Sequence, residues 1–193
     1  GARALRPGGH AELGRGHGVH LQAGYIVTAR HAVERDQGGK KVLPKEIYIL
    51  TADLAELPAH LVGGSAYLDL VLYRIGEAHR DQLQTLTPFA STGALAGDHV
   101  FTVGYPLGWG PTVAYGRIGN PNTFLPTAET RLLQIDLSAC SGNSGGGLFN
   151  TSGELVGVMH AIIKTDQGQG DHRCSRLAFA VPAILAQRIV TAL

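Results

Sequence analysis

A chain of 193 residues and 20.3 kDa with 44% hydrophobic residues can bury one or two small cores. Charged residues make up 16%, which excludes coiled coil and disorder, and no apolar run approaches the roughly 20 residues that span a bilayer. The net charge is +1 and Lys40-Lys41 is the one basic doublet, so there is no general electrostatic grip on nucleic acid or anionic lipid.

Glycine, at 27 residues, is about twice its usual share. Without a collagen-like period this means many turns and close backbone approaches, as in an all-β protein. Residues 1–16 are rich in Gly and Arg without a period and read as a flexible N-terminal arm. Short apolar stretches between turn residues then predict strands at Tyr25–Thr28, Glu46–Leu50, His60–Val62 and Leu70–Ile75. Gln82–Gly97 has few strand signals and is the expected linker between two similar halves. A second set of strands is expected at His99–Val103, Thr112–Ile118, Leu132–Ile135, Gly147–Phe149, Leu155–Ile163 and Leu177–Val181. The loop Pro106–Pro111 carries Trp109 and reads as a surface loop. Pro182 sits where a helix starts, and Ala183–Leu193 follows with Ile184, Leu185, Ile189 and Val190 on one face. The expected domains are the arm 1–16, an N-terminal barrel 17–90 and a C-terminal barrel with the terminal helix, 91–193.

Two cysteines, Cys140 and Cys174, without a C-x-x-C exclude a zinc ribbon and a thioredoxin-type site. By count alone they are either two buried thiols or one disulfide. His17-x-x-His20 has an odd spacing, which on a strand sends the imidazoles to opposite faces, so no metal site is expected there or with His10. Asn150-Thr151-Ser152 is a formal glycosylation sequon, but the following Gly153 marks it as turn chemistry.

The strongest chemical signal is Gly142-Asn143-Ser144-Gly145-Gly146-Gly147. A serine nucleophile needs an adjacent base and backbone N–H donors aimed where an oxyanion develops. Glycines around it let the chain turn sharply and point those N–H groups into one concavity. The simpler alternative is a glycine-rich turn that happens to hold a serine. His31 closes a strand-to-helix stretch, Tyr25–Val33, and an imidazole near neutrality suits proton transfer to and from that hydroxyl. Asp69 enters the apolar strand Leu70–Ile75, where an unpaired carboxylate is costly, so a partner is expected. Each of the three has a plain structural explanation; their combination in the order His, Asp, Ser does not.

With those residues in hand, the chain resembles the chymotrypsin-like serine proteases, and among them the HtrA/Deg group. The stretches that carry the resemblance are Gly24–Val33, Tyr67–Ile75, Gly104–Gly108 with Thr112–Gly119, Gln134–Phe149, Gly153–Ile163 and Phe179–Pro182. The resemblance covers roughly residues 16–193. It implies two antiparallel six-stranded β-barrels with the site in the cleft between them and a C-terminal helix. His31 is then the general base and acid, Asp69 its orienter and Ser144 the nucleophile, with the N–H groups of Gly142 and Ser144 as the oxyanion hole. No cofactor and no metal are implied. The partner is a peptide or unfolded-protein substrate, with no nucleic acid and no membrane span, and the compartment is periplasmic or secreted. Oligomeric state is left open, since the lead-in lacks the aromatic residues of an HtrA-type trimer contact; so is any PDZ domain beyond the helix.

The family pattern also places Ser138, Ala139 and Cys140 on one wall of the S1 pocket, His160, Ala161 and Ile162 on another, and Phe179 near the third. No carboxylate falls at the pocket base, so small or medium aliphatic P1 residues are expected rather than Arg or Lys. His160 stands where the family has a small polar residue, and either bonds Asp69 or meets an acidic P1 side chain. Cys140 and Cys174 are 34 residues apart in the pattern of extracellular chymotrypsin-like enzymes, which implies a disulfide beside the pocket that HtrA/Deg proteins usually lack. Two other functions compete. Gly142–Gly146 satisfies G-x-S-x-G, but three glycines rather than a helix follow, and the residues remaining are too few for an α/β-hydrolase. A peptide-binding protein on the protease fold with a resting or inactive site remains the alternative.

Overall fold

A computed structural model describes residues 16–162 and 174–191, except 52, 54, 84, 85, 106–110 and 127, together with the backbone of residues 4 and 5. Fourteen strands are assigned within these residues. The first half carries β1 (Ala4–Leu5), β2 (Val19–His20), β3 (Tyr25–Ala29), β4 (Arg35–Gln37), β5 (Lys40–Val42), β6 (Glu46–Leu50), β7 (Glu56–Ser65) and β8 (Leu70–Ile75). The second carries β9 (His99–Gly104), β10 (Thr112–Phe124), β11 (Arg131–Cys140), β12 (Gly147–Asn150), β13 (Leu155–Ile162) and β14 (Cys174–Pro182). Helix α1 is the single turn Arg30–Val33, and α2 is Ala183–Thr191.

The second half closes into a barrel in the order β10-β11-β14-β13-β12-β9. The first half is also six-stranded, β1-β6-β7-β8-β3-β2, but among the described residues its edge strands β1 and β2 do not pair, so it is a half-barrel sheet. All strand pairs are antiparallel. The architecture is the all-β two-barrel type with a C-terminal helix, with the first barrel left open.

The apolar strands are buried on both faces because they separate two cores. Along β8, Leu70 and Leu72 point into a seam between the halves, while Val71, Tyr73 and Ile75 point into the core of the first sheet. Along β14, Phe179 and Val181 join the same seam, and Ala178 and Ala180 fill the second barrel. The seam also takes Val19, Leu21 and Val27 from one half and Leu132, Leu155 and Val158 from the other, so the two halves share a continuous apolar contact. Tyr73 is fully buried and donates its hydroxyl hydrogen bond to the Pro44 carbonyl at 2.9 Å. Burial pushes its phenol pKa up to about 12.

Several expectations need correction. Residues 4 and 5 of the arm are a strand, with Ala4 opposite Ile49 and Leu5 opposite Tyr48; the rest of 1–15 lies outside the described residues. Strand β10 runs on past its expected end at Ile118 to Phe124, with register shifts against β11 between Ile118 and Asn120 and between Asn120 and Thr123. Within the expected linker 82–97, described residues are tied to both halves: the Thr87 N–H donates to His20 O, the Ala90 N–H donates to Leu155 O, and the Leu155 N–H donates to Pro88 O. Pro182 ends β14 instead of starting α2, whose buried face is Ala183, Ala186 and Val190; Ile184 is exposed. Trp109 and Ile163 lie outside the described residues.

Candidate active site

The site forms where the ends of β3, β8 and β13 meet the turn between β11 and β12. After β3 the chain enters α1, and the Arg30 N–H donates to the Asp69 carbonyl at 2.8 Å, tying the start of that helix to the turn before β8. In that turn the Leu68 N–H donates to Ser65 Oγ at 3.1 Å and the Asp69 N–H to Ala66 O at 3.1 Å. Asp69 has φ +53°, a left-handed conformation that Asp tolerates better than most residues. The backbone strain is a local cost of presenting the carboxylate to His31.

The carboxylate accepts three hydrogen bonds. Asp69 Oδ1 takes the His31 backbone N–H at 3.0 Å, and Oδ2 takes His31 Nδ1 at 2.5 Å and His160 Nδ1 at 2.8 Å. Partial burial pushes the Asp69 carboxyl up, but the bonds from His160 and His31 outweigh it and hold it far below the usual carboxylate range. The bond to Nδ1 leaves His31 Nε2 as the ring nitrogen available to a substrate-side hydroxyl. The two imidazoles meet edge to face with centroids 5.7 Å apart.

His160 reaches Asp69 because β13 bulges at that position. Met159 pairs with Ala180 and Ala161 with Phe179, which leaves His160 unpaired in the ladder and its side chain turned out of the normal alternation. Of the two roles the sequence allows this ring, the geometry has it bonded to Asp69. His31, Asp69 and His160 offer ligand atoms within 4.8 Å of one another, and the two hydrogen bonds to one carboxylate oxygen account for that closeness.

The turn carrying Ser144 is fixed from several sides. Gly145 N–H donates to Met159 O and Met159 N–H to Gly146 O, both at 2.8 Å, and Asn143 N–H closes on Cys140 O at 3.1 Å. Gly142 and Gly145 have φ of +102° and +80°. At Gly145 a Cβ would lie 2.1 Å from Thr28 Oγ1 and 2.2 Å from His17 O, so only glycine fits. Among the described residues no backbone acceptor takes the N–H of Gly142 or Ser144. The Ser144 hydroxyl lies 3.5 Å from the His160 carbonyl.

Cys140 and Cys174 face each other across β11 and β14 and are joined by a disulfide. The residues that the family pattern places around the pocket differ in where their side chains point. Ser138 and Cys140 point outward from β11, whereas the side chain of Ala139 is packed in the second barrel core and that of Phe179 in the seam. Ala161 and Ile162 follow His160 on β13. His17, which the sequence offers only as half of an H-x-x-H pair, and Thr28, which it offers only as a strand residue, are two polar residues of the site region; both are buried against the Ser144 turn.

Comparison with known proteins places the chain in a family. Residues 16–158 match the family of trypsin-like peptidase domains. A probable periplasmic serine endoprotease DegP-like of Rhizobium meliloti (strain 1021) is 33% identical over 172 residues, covering 88% of this chain and 31% of that protein. The serine endoprotease DegS of Escherichia coli (strain K12) is 32% identical over 199 residues, covering 97% and 51%. The solved structure of the HtrA-type protease AlgW with decapeptide superposes with TM-score 0.76 at 28% identity, covering 92% of this chain and 51% of that one. The chain thus spans about a third to about a half of the length of such relatives.

Proposed function

Because this chain belongs to the family of trypsin-like peptidase domains, we propose that it is an HtrA/Deg-like serine endopeptidase working through an acyl-enzyme, with His31, Asp69 and Ser144 as its triad. The single observation that carries this reading is the bidentate hold of Asp69 on His31, through the backbone N–H at 3.0 Å and ring Nδ1 at 2.5 Å, at the mouth of the turn that presents Ser144.

With Nδ1 donating to Asp69, His31 Nε2 takes the proton from Ser144 Oγ as that oxygen attacks the scissile carbonyl. The N–H groups of Gly142 and Ser144 receive the developing oxyanion. His31 then protonates the leaving amine, the C–N bond breaks, and the acyl group stays on Ser144. Water, deprotonated by the same ring, attacks the ester and releases the new carboxyl terminus. Asp69 remains ionised throughout and stabilises the imidazolium, which its depressed pKa favours.

The substrate is a peptide or an unfolded segment, as the peptide-bound structure of the AlgW relative suggests by analogy. His160 Nδ1 is engaged with Asp69, and with no carboxylate expected at the pocket base a small or medium aliphatic P1 residue is the preference proposed. Relatives are named periplasmic and the chain carries a disulfide, which together support an oxidising compartment such as the periplasm. Among the described residues no helix is long and apolar enough to cross a membrane.

A second reading, a resting site that a peptide or partner reorders, is favoured by one contact: the Ser144 hydroxyl faces the His160 carbonyl at 3.5 Å. Cleavage of an unfolded protein such as reduced, alkylated casein, with Ser144→Ala as control, tests the function. Cleavage by the parent and none by the variant supports an endopeptidase; equal cleavage by both refutes the assignment of Ser144. No cleavage until a peptide is added in trans supports the resting site.

A further inference from the structure

His17 has no role in the triad, yet each of its polar atoms is engaged at the site. Its backbone N–H donates to the Ser144 carbonyl at 2.9 Å, and its carbonyl accepts the Thr28 hydroxyl at 2.5 Å. Its ring Nε2 meets the Tyr105 backbone N–H at 2.9 Å, its Nδ1 meets the Gly142 carbonyl, and the ring stacks on Tyr105 with centroids 5.4 Å apart. The residue is 6% exposed.

The partners fix the chemistry of the ring. A backbone N–H only donates, so Nε2 presents its lone pair; a carbonyl only accepts, so Nδ1 carries the proton. A neutral imidazole satisfies both, and burial holds the pKa of His17 below its usual value despite the bond to Gly142.

We infer that His17 is a positioning residue for the oxyanion hole, whose side chain holds the Gly142 carbonyl while its backbone holds the Ser144 carbonyl. This rests on the proposed function, since those are the two residues whose N–H groups form the hole. Gly142 has φ +102° and no side chain, so its backbone rotates easily unless anchored from outside. The peptide between Gly142 and Asn143 is held at both ends, by His17 on the oxygen and by Cys140 O on the Asn143 nitrogen. Without the Nδ1–H donor the carbonyl end is released and the donors are no longer pre-aimed. The ring also ties this turn to Tyr105, at the end of β9, through a contact 88 residues distant in sequence.

Two substitutions separate the ring nitrogens. His17→Asn places an amide donor at the Nδ1 position and loses the Nε2 acceptor; His17→Gln places its amide at the Nε2 position and loses the donor to Gly142. Both variants and the parent are tested for kcat and KM on one chromogenic peptide and for inactivation by a fluorophosphonate. His17→Asn is expected to keep kcat within about threefold, and His17→Gln to lose about tenfold to hundredfold in kcat and in inactivation rate with KM nearly unchanged. Equal kcat in the two variants, or losses confined to KM, overturns the inference while the site reading stands. A parent that neither reacts nor cleaves, with or without a peptide added in trans, overturns the site reading and this inference with it. The ring itself is read by 15N NMR of the unsubstituted protein, whether or not either variant folds: a neutral His17 with its proton on Nδ1 is expected at pH 7, and a proton on Nε2 overturns the inference.

Discussion

Replacing Asp69 by Asn tests the geometry of the site most sharply, because the carboxylate has three donors and the amide has one acceptor. Suppose the amide oxygen stays on the His31 backbone N–H. The NH2 then faces the two ring nitrogens that now meet Oδ2 at 2.5 and 2.8 Å. Both rings must present lone pairs there, so His31 carries its proton on Nε2 and cannot accept one from Ser144. In the flipped orientation the NH2 faces a backbone N–H, donor against donor. By analogy with the Asp-to-Asn change in the general triad, kcat should fall about 10⁴-fold, equivalent to about 5.5 kcal/mol in the barrier. Losing a charge-assisted bond should also lower stability by about 1.5–3 kcal/mol at neutral pH. The folded pKa of Asp69 is depressed, so its contribution is present above the unfolded value near about pH 4 and is lost as the pH falls through the folded one. The stability gap between parent and variant, measured by urea unfolding, should therefore narrow below about pH 4. Steady-state kinetics on a chromogenic peptide provide the activity assay. A variant that keeps kcat within about tenfold would refute the account of how the base is oriented.

Other substitutions probe the frame around the site. Gly145→Ala forces a Cβ to within 2.2 Å of His17 O at a φ of +80°, and should destabilise the protein by about 3 kcal/mol or more in chemical denaturation; a loss below about 1 kcal/mol would mean that the turn relaxes freely. Replacing Cys140 and Cys174 together by Ser opens a loop with a sequence separation of 34 residues. The chain-entropy estimate for that loop is about 4 kcal/mol, or a thermal midpoint lower by about 8 to 15 °C; an unchanged midpoint in calorimetry would count against the bridge. Tyr73→Phe removes the donor to Pro44 O and should lower stability by about 1–2 kcal/mol without changing kcat, since the ring faces the core of the first sheet.

Local patterns carried much of this into the sequence. Glycines cluster around Ser144 because the turn needs left-handed backbone at Gly142 and Gly145, and that need is visible residue by residue. Asp69 could be singled out because a carboxylate beside a strand buried on both faces demands a partner. His17 could not be. Its ring is read by Gly142, 125 residues away, and by Tyr105, and nothing in Gly16-His17-Gly18 announces either contact. The flanking glycines were the available hint, since a Cβ at Gly16 would meet Ala32 at 2.8 Å and one at Gly18 would meet Ile26 at 2.7 Å. The role of His160 depended on a bulge between Met159 and Ala161, a feature of the pairing between β13 and β14. Ala139 and Phe179 were placed near the pocket by the family pattern rather than by alternation, and the parity of a strand says only that two faces differ, not which one meets the cleft.

The central claim is that Ser144 is a nucleophile activated by His31 and Asp69. Intact-protein mass after exposure to a fluorophosphonate measures it directly, with Ser144→Ala in parallel. The account predicts one adduct on the parent, mapped to Ser144, and none on the variant; an adduct of equal yield on both, or one mapped to another residue, would contradict it.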